Sequence, residues 1–443
     1  MPENGPPLGH PIPVASLSAA DHVRAGEAHF QAGDLESARE AFLAAVESDP
    51  ACAAAYNNLG VIYCQLGNLV VATGYLHLAL DLEPRNRETV INLGNILEMQ
   101  GMRTEARKVY FDHMLLDPDD VEVFERLAAV TSQIQADAKD DGTLPVHFFT
   151  IVLNGEPFIR YHLDVLRSLP FRWHWHIIEG LAEPYHDTAW PLANGQIITP
   201  DMHQFGLSND GTSDYLDDLV EAYPDQITLY RKPTGQTWRG KIEMVNAPLQ
   251  ALNEVCLLWQ IDVDELWTRD QLIRMREMFL AEPERTAAFY WCHFFVGEDL
   301  AISTRHCYAQ RPEKEWLRTW RYRPGMIWFS HAPPWLSLPG PKGWSIVSEA
   351  HAFSHAETEA AGLVFQHYAY ATEEQVAFKE RYYGYHGAVA EWERLNQARH
   401  APLRLGDYLH WVQDETRVDR LDRLGIVPLA RRDPATGEWR FAH

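Results

Sequence analysis

The sequence predicts an all-α helical repeat array followed by an α/β domain with a mostly parallel sheet and helices on both faces. Three observations carry this. Gly26, Gly60 and Gly94 stand 34 residues apart, and Pro50, Pro84 and Pro118 keep the same step. From Val146 onward, strand-like apolar runs alternate with helical stretches, the pattern of a parallel sheet with crossover helices. Between the two halves the polar stretch QADAKDDGTL separates one periodicity from the other.

In the first half, Ala38, Ala72 and Ala106, and Gly33, Gly67 and Gly101, repeat on the same step. Glycine at 26, 60 and 94 suits a first helix crossed closely by its partner, and the alanines serve the same approach from the second helix. The glycines at 33, 67 and 101 fit the intervening turn, where a positive φ costs glycine little. Each proline ends a unit because it cannot continue a helix. Phe42, Leu59, Tyr63, Leu76, Leu93 and Tyr110 fill the space between, and residues 119–136 form a polar-faced closing helix. The period and pattern are those of the tetratricopeptide repeat, whose units bury an apolar face only by stacking. Asn58 and Asn92 share one position on the first helix, expected to face the concave groove, with Arg24 in that place in the first repeat. A column of amides can hold an extended peptide backbone; the same residues also suit an ordinary solvated helix.

Composition narrows the partners. The 443-residue chain carries a formal charge of −24, which disfavours phosphate backbones, so no nucleic acid is expected. Hydrophobic residues make up 46% and aromatics 12%, with 15 Trp concentrated in the second half. The five cysteines form no CxxC pair, which argues against a disulfide framework or zinc cluster and for a reducing compartment. No apolar run approaches the roughly 20 residues of a membrane span. A cytoplasmic protein is expected, divided into a disordered tail (1–17), repeats (18–136), a linker (137–145), the α/β domain (146–400) and a C-terminal extension packed on it (401–443).

In the α/β half, VHFFTIVLN, WHWHIIEG, QITLYRK and CLLWQIDVDELW are strands; PFIRYHLDVLRSL, SNDGTSDYLDDLVEAY and KIEMVNAPLQALNEV are helical. Ligands of open parallel sheets sit outside the carboxyl ends of the strands. That singles out Asn154, Glu179, Asp262, Asp264 and Glu265. Strand alternation aims Asp262 and Asp264 to one side, with Val263 turned into the sheet. Two adjacent anions are expected to recruit a cation, and Mn²⁺ or Mg²⁺ with oxygen ligands fits a bridge to a diphosphate.

The segments IVLNGEPFIRYHL, HIIEG, SNDGTSDYL, GKIEMVNAPL and LLWQIDVDELW, in this order, resemble a glycosyltransferase of the GT-A fold in the broad family 2 group, in its Asp-Val-Asp-Glu variant. The resemblance covers 146–390. It implies a nucleoside diphosphate sugar as donor, with Asn154 and Glu179 against the nucleoside, Lys241 near the diphosphate, Asp262 near the ribose or metal, and Asp264 on the metal. His367, closing the run LVFQH, is the further ligand expected, with His331, His351 and His355 as competitors. Glu298 and Asp299, in FFVGEDL, stand where the resembled group carries its catalytic base. Lys379 and Arg381 could neutralise the leaving diphosphate. The chain departs from the family pattern in the insertion 181–207, which leaves Asp210 either a nucleotide contact or a helix cap. The expected function is metal-dependent sugar transfer to a protein or peptide acceptor docked by the repeats. The alternative is a repeat scaffold with an inactive GT-A-like domain.

Overall fold

The computed structural model describes residues 17–183, 198–313, 315–331, 334–347 and 350–442. Residues 1–16 of the expected tail and 184–197 of the 181–207 insertion lie outside the described residues. The chain divides into two compact units, Met1–Val130 and Thr131–His443.

The first unit is a helical array: α1 (Ala19–Gln31), α2 (Leu35–Ser48), α3 (Ala53–Gln65), α4 (Leu69–Leu82), α5 (Arg87–Met99), α6 (Arg103–Leu116) and α7 (Val121–Ala136), whose last residues fall in the second unit. Local chemistry sets the starts. Ser18 and Asp21 form a reciprocal capping box on α1, while Asp34, Asn68 and Asn86 accept the third amides of α2, α4 and α5. Gly33, Gly67 and Gly101 turn the chain at φ +79°, +77° and +78°. The 34-residue step then has a packing cause. A Cβ on Gly26 would lie 2.7 Å from the Phe42 ring, one on Gly60 would lie 2.5 Å from Leu76 Cγ, and one on Gly94 would strike Tyr110. Ala38, Ala72 and Ala106 are fully buried opposite. In the last turn, Asp120 accepts from Val123 N with one oxygen and meets His113 Nε2 at 3.0 Å with the other, tying α6 to α7.

The second unit is built on a six-stranded sheet of order β3-β2-β1-β4-β9-β6. Its strands are β1 (Val146–Val152), β2 (Trp173–Glu179), β3 (Ile227–Tyr230), β4 (Cys256–Gln260), β6 (Ala287–Phe289) and β9 (Leu317–Tyr322). Four neighbours run parallel, β3 to β4, and β9 runs antiparallel between β4 and β6. Alternation sorts the strands between two cores. Phe148, Trp175 and Trp259 pack on one face with α8 (Ile159–Arg167), while Phe149, Ile178, Leu258 and Trp320 pack on the other.

The remaining strands form small sheets. β5 (Glu265–Leu266) and β7 (Cys292–Phe294) flank β13 (Phe365–His367), and β8 (Leu300–Ile302) joins two short strands of the C-terminal extension. The second unit is therefore mixed rather than mostly parallel. Helices α9 (Thr212–Ala222), α10 (Lys241–Asn246), α11 (Arg269–Ala281), α12 (His355–Ala360) and α13 (Glu373–Tyr383) complete the parts used below. The extension packs on this unit: Trp439 lies 5.0 Å from the Phe158 ring, and Gln366 Nε2 donates to Val427 O at 2.8 Å. Among the described residues no helix is long and apolar enough to cross a membrane, and all five cysteines are free thiols.

Candidate functional site

A cleft of about 590 Å³ opens beyond the carboxyl ends of β1 and β4. One wall follows from β4. After Gln260 the chain leaves the sheet in a turn closed by Glu265 N donating to Asp262 O at 3.0 Å. This turn presents Asp262, Val263 and Asp264 together to the cleft. The alternation expected of a continuing strand is lost, and Val263 is half-buried at the cleft wall. His162 of α8 secures the turn from behind, its Nε2 2.9 Å from Val263 O. Burial pushes that imidazole down to about 4, so it is neutral and able to serve as donor there.

The two carboxylates differ in their partners. Asp262 accepts from Gln260 Nε2 at 2.9 Å and lies 3.4 Å from Arg318 Nη2. Arg318, on β9, also forks onto the fully buried Glu265, with Nε 2.8 Å and Nη2 2.6 Å from its two oxygens. Burial pushes the Glu265 carboxyl up and Arg318 pulls it back, so the guanidinium is what keeps this acid tolerable inside the protein. Asp264 faces the other way. Its Oδ1 is 3.4 Å from His367 Nε2 and its Oδ2 is 3.9 Å from Lys379 Nζ. Burial opposes the charge on Asp264, yet His367 and Lys379 outweigh it and hold the carboxyl well below the usual range. Burial in turn lowers the Lys379 ammonium, against the pull of Asp264 and Asp262.

β13 explains how His367 arrives. It pairs antiparallel with β5, placing His367 opposite Glu265, and Tyr368 N donates to Asp264 O at 2.8 Å. The Nδ1 of His367 is buried without a hydrogen-bond partner among the described residues. The donor set suits a hard divalent cation. The 3.4 Å between Asp264 Oδ1 and His367 Nε2 is close to the ~3.0 Å edge of an octahedron with ~2.1 Å bonds, and such ions take one or two protein donors with substrate phosphates filling the rest. Among the described residues, Asp262 does not join Asp264 and His367 in a three-donor cluster.

The opposite wall is the loop after β1. Asn154 sits at φ +59°, a left-handed conformation that asparagine tolerates better than most residues. Its amide is spent on the protein: Nδ2 donates to Met202 O at 2.7 Å and Oδ1 accepts from Asn209 N at 2.8 Å. Asp210 lines the cleft too, and its two oxygens accept from Glu156 N and from Thr212 N, the first residue of α9, both at 3.0 Å, while Gly211 holds the cap position itself. Gly155 leaves room for Val263, whose Cγ1 would lie 3.1 Å from an added Cβ. Lys241, at the start of α10, lines the cleft with its Nζ 5.8 Å from the Tyr383 ring centroid.

Three expected residues are elsewhere. Glu179 does not line the cleft; it is fully buried, accepting from Arg231 Nε at 2.6 Å, Ser213 Oγ at 2.5 Å and Ser208 N at 3.1 Å. Glu298 is exposed, 3.8 Å from Arg432, and Asp299 accepts from Leu421 N through its carbonyl at 3.1 Å. Their loop is drawn to the C-terminal extension because β8 pairs with Arg417–Arg420 there, so neither acid reaches the cleft. Of the competing histidines, His331 lines the cleft, while His351 and His355 do not. Arg318 was not legible in the sequence: LRTWRY carries two arginines, Arg318 and Arg321, and no local pattern tells which of them meets the acid turn. In the repeat unit, the amide contact in this column runs from Asn92 Nδ2 to Asn57 Oδ1 at 3.1 Å, one residue away from the expected Asn58.

Residues 23–86 match the tetratricopeptide repeat family model. The chain is similar to the first tetratricopeptide domain of Spaghetti (RPAP3) bound to an HSP90 peptide, at 20% identity over 26% of this chain and 95% of that one, with a TM-score of 0.25. It is similar also to MamA (18% identity, 26% and 67% covered, TM-score 0.25) and to the Arabidopsis OM64 tetratricopeptide domain (16%, 25% and 93%, TM-score 0.24). No curated protein matches the chain in sequence. The N-terminal unit is an array of tetratricopeptide repeats, followed by a mixed α/β unit.

Proposed function

We propose that the chain is a metal-dependent glycosyltransferase of GT-A type that moves a sugar from a nucleoside diphosphate donor to an acceptor carried on a protein or peptide held by the repeats. The observation that supports this most is the Asp264–His367 pair, 3.4 Å apart in a cleft at the carboxyl ends of parallel strands. Asp264, His367 and, through ribose or metal, Asp262 would hold Mn²⁺ or Mg²⁺. Bound there, the cation would supply Lewis-acid stabilisation of a departing diphosphate. Lys379 and Lys241, on separate helices of the same cleft, bring further positive charge to the phosphates. Arg318 keeps Asp262 oriented, and the Asn154 and Asp210 contacts fix the loop across from it.

A second possibility is a repeat scaffold whose α/β unit does no chemistry. It is favoured by Glu298 and Asp299 lying away from the cleft. The experiment is sugar release from a panel of UDP-, GDP- and dTDP-sugars with Mn²⁺. At least one donor is expected to turn over, with Asp264→Ala and excess chelator each lowering the rate by about 10²-fold or more. Undiminished turnover in Asp264→Ala removes the metal role, and no turnover of any donor leaves the scaffold.

A further inference from the structure

In the repeat unit, the turn between α6 and α7 departs from the two corresponding turns before it. One and two repeats earlier, the position of His113 holds Ala79 and Ala45, both fully buried, and that of Asp120 holds Asn86 and Cys52. The acid at 117 is kept throughout, as Glu83 and Asp49. The third turn therefore keeps the acid and sets an imidazole where the array otherwise buries a methyl group.

The backbone brings three side chains together. His113 lies in the last turn of α6, and Asp117, one turn on, closes that helix with its amide donating to His113 O at 2.8 Å. Asp120 precedes α7 and accepts from Val123 N at 3.2 Å with Oδ1, which leaves Oδ2 turned to His113 Nε2, 3.0 Å away. One donor atom from each of His113, Asp117 and Asp120 lies within 4.8 Å of the others, and among the described residues no other such trio of His, Cys, Asp or Glu occurs. The His113 and Asp120 side chains are 1% and 5% exposed. His113 Nδ1 has no hydrogen-bond partner among the described residues, so the protein's own contacts leave this buried ring incompletely satisfied. Helix capping accounts for Asp120, but for neither the buried imidazole nor Asp117. Charge points the same way. Asp117 and Asp120 open on a cleft of about 630 Å³ whose walls add Asp119, Glu122 and Glu125, five carboxylates against the one guanidinium of Arg87. That guanidinium lies 3.9 Å from Glu122.

We propose that His113, Asp117 and Asp120 form a binding site for a divalent cation of the zinc class, which clasps the end of α6 to the start of α7, with water in the open positions. Donors sharing one ion with ~2.1 Å bonds stand ~3.0–4.2 Å apart. The His113–Asp120 pair is already at that spacing, and Asp117, exposed on the cleft, reaches it by side-chain rotation. An imidazole beside two carboxylates favours Zn²⁺ over Mg²⁺, which prefers oxygen donors and parts with its water reluctantly. The site is independent of the transferase reading, since none of its three residues lines the cleft of Asp264 and His367.

Titration calorimetry with Zn²⁺ and with Mg²⁺, on the full chain carrying Asp264→Ala to disarm the other candidate cation site, tests this. Zn²⁺ is expected to bind saturably, and Mg²⁺ about tenfold or more weakly than Zn²⁺. Adding Asp117→Asn, an exposed change whose fold is checked by circular dichroism, is expected to weaken Zn²⁺ binding about tenfold or more, and His113→Gln to do the same. Hydrogen exchange locates the ion: amides within 110–124 are expected to slow when Zn²⁺ is added. No Zn²⁺ heat, Mg²⁺ binding as tight as Zn²⁺, equal Zn²⁺ affinity in a folded Asp117→Asn, or slowing confined to other segments each overturns the site.

Discussion

At the residue scale, buried imidazoles of the α/β unit are held neutral by burial more than by their neighbours. His162 and His174 are both pushed down to about 4 from an ordinary 6.5, His162 by burial and His174 by burial and then His147. The sign follows from linkage. Between roughly pH 6.5 and 4 the unfolded chain takes up protons at these imidazoles that the folded chain refuses, so stability falls as pH falls through that window. Glu254 acts lower down: its hydrogen bond to His147, opposed by burial and helped by Arg172, brings it to about 2 from 4.5, so its contribution is lost only in stronger acid. Urea midpoints at about pH 7 and about pH 5 are expected to drop for the wild type and to drop less for His174→Asn. An equal drop in the variant would show that His174 carries none of this pH dependence.

What the sequence made legible at this scale was the acid turn. An apolar strand ending in Asp-Val-Asp-Glu marks a strand end by chemistry alone, and Asp262, Asp264, Lys241 and His367 all line one cleft. Asn154 and Glu179 stood at the ends of their strands as well, but a polar residue there serves the neighbouring loops as readily as a ligand. Their partners, Met202, Asn209, Ser213 and Arg231, are 34 to 55 residues away in the chain, beyond any local pattern.

At the element scale, the repeat helices were legible because each first-helix glycine, Gly26, Gly60 and Gly94, has a defined steric partner 16 residues later. The prediction there is direct. Gly60→Val drives a branched side chain into Leu76, whose Cγ would already lie 2.5 Å from a Cβ, and is expected to cost about 1–3 kcal/mol. Gly33→Ala meets open space and carries only the strain of φ +79°, about 1 kcal/mol. Thermal melts followed by far-ultraviolet circular dichroism should therefore rank Gly60→Val below Gly33→Ala, and the reverse order would refute close helix crossing as the cause of the period. The small sheets were not legible. Strands of two or three residues, such as β5 and β13, are too short to show alternation, and their pairing depends on segments about 100 residues apart.

At the scale of the whole molecule, two units of different construction share one chain, a repeat array and a mixed sheet unit with a cleft at the carboxyl ends of its parallel strands. The boundary was visible as a change of periodicity, although the compact units divide at Val130, inside α7, and not at the polar linker. That the Glu298–Asp299 loop turns away from the cleft was not visible, because the extension, 120 residues downstream of Leu300, decides where the β7–β8 loop goes.

In the proposed function, Asp264 and His367 hold a divalent cation that brings a nucleoside diphosphate into the cleft. Titration calorimetry of the full chain with UDP, GDP and dTDP, with and without Mn²⁺, tests it most directly. Saturable heat is expected for at least one nucleotide, present only with Mn²⁺ and lost in Asp264→Ala. Binding that is indifferent to both the metal and the substitution, or no binding at all, would contradict it.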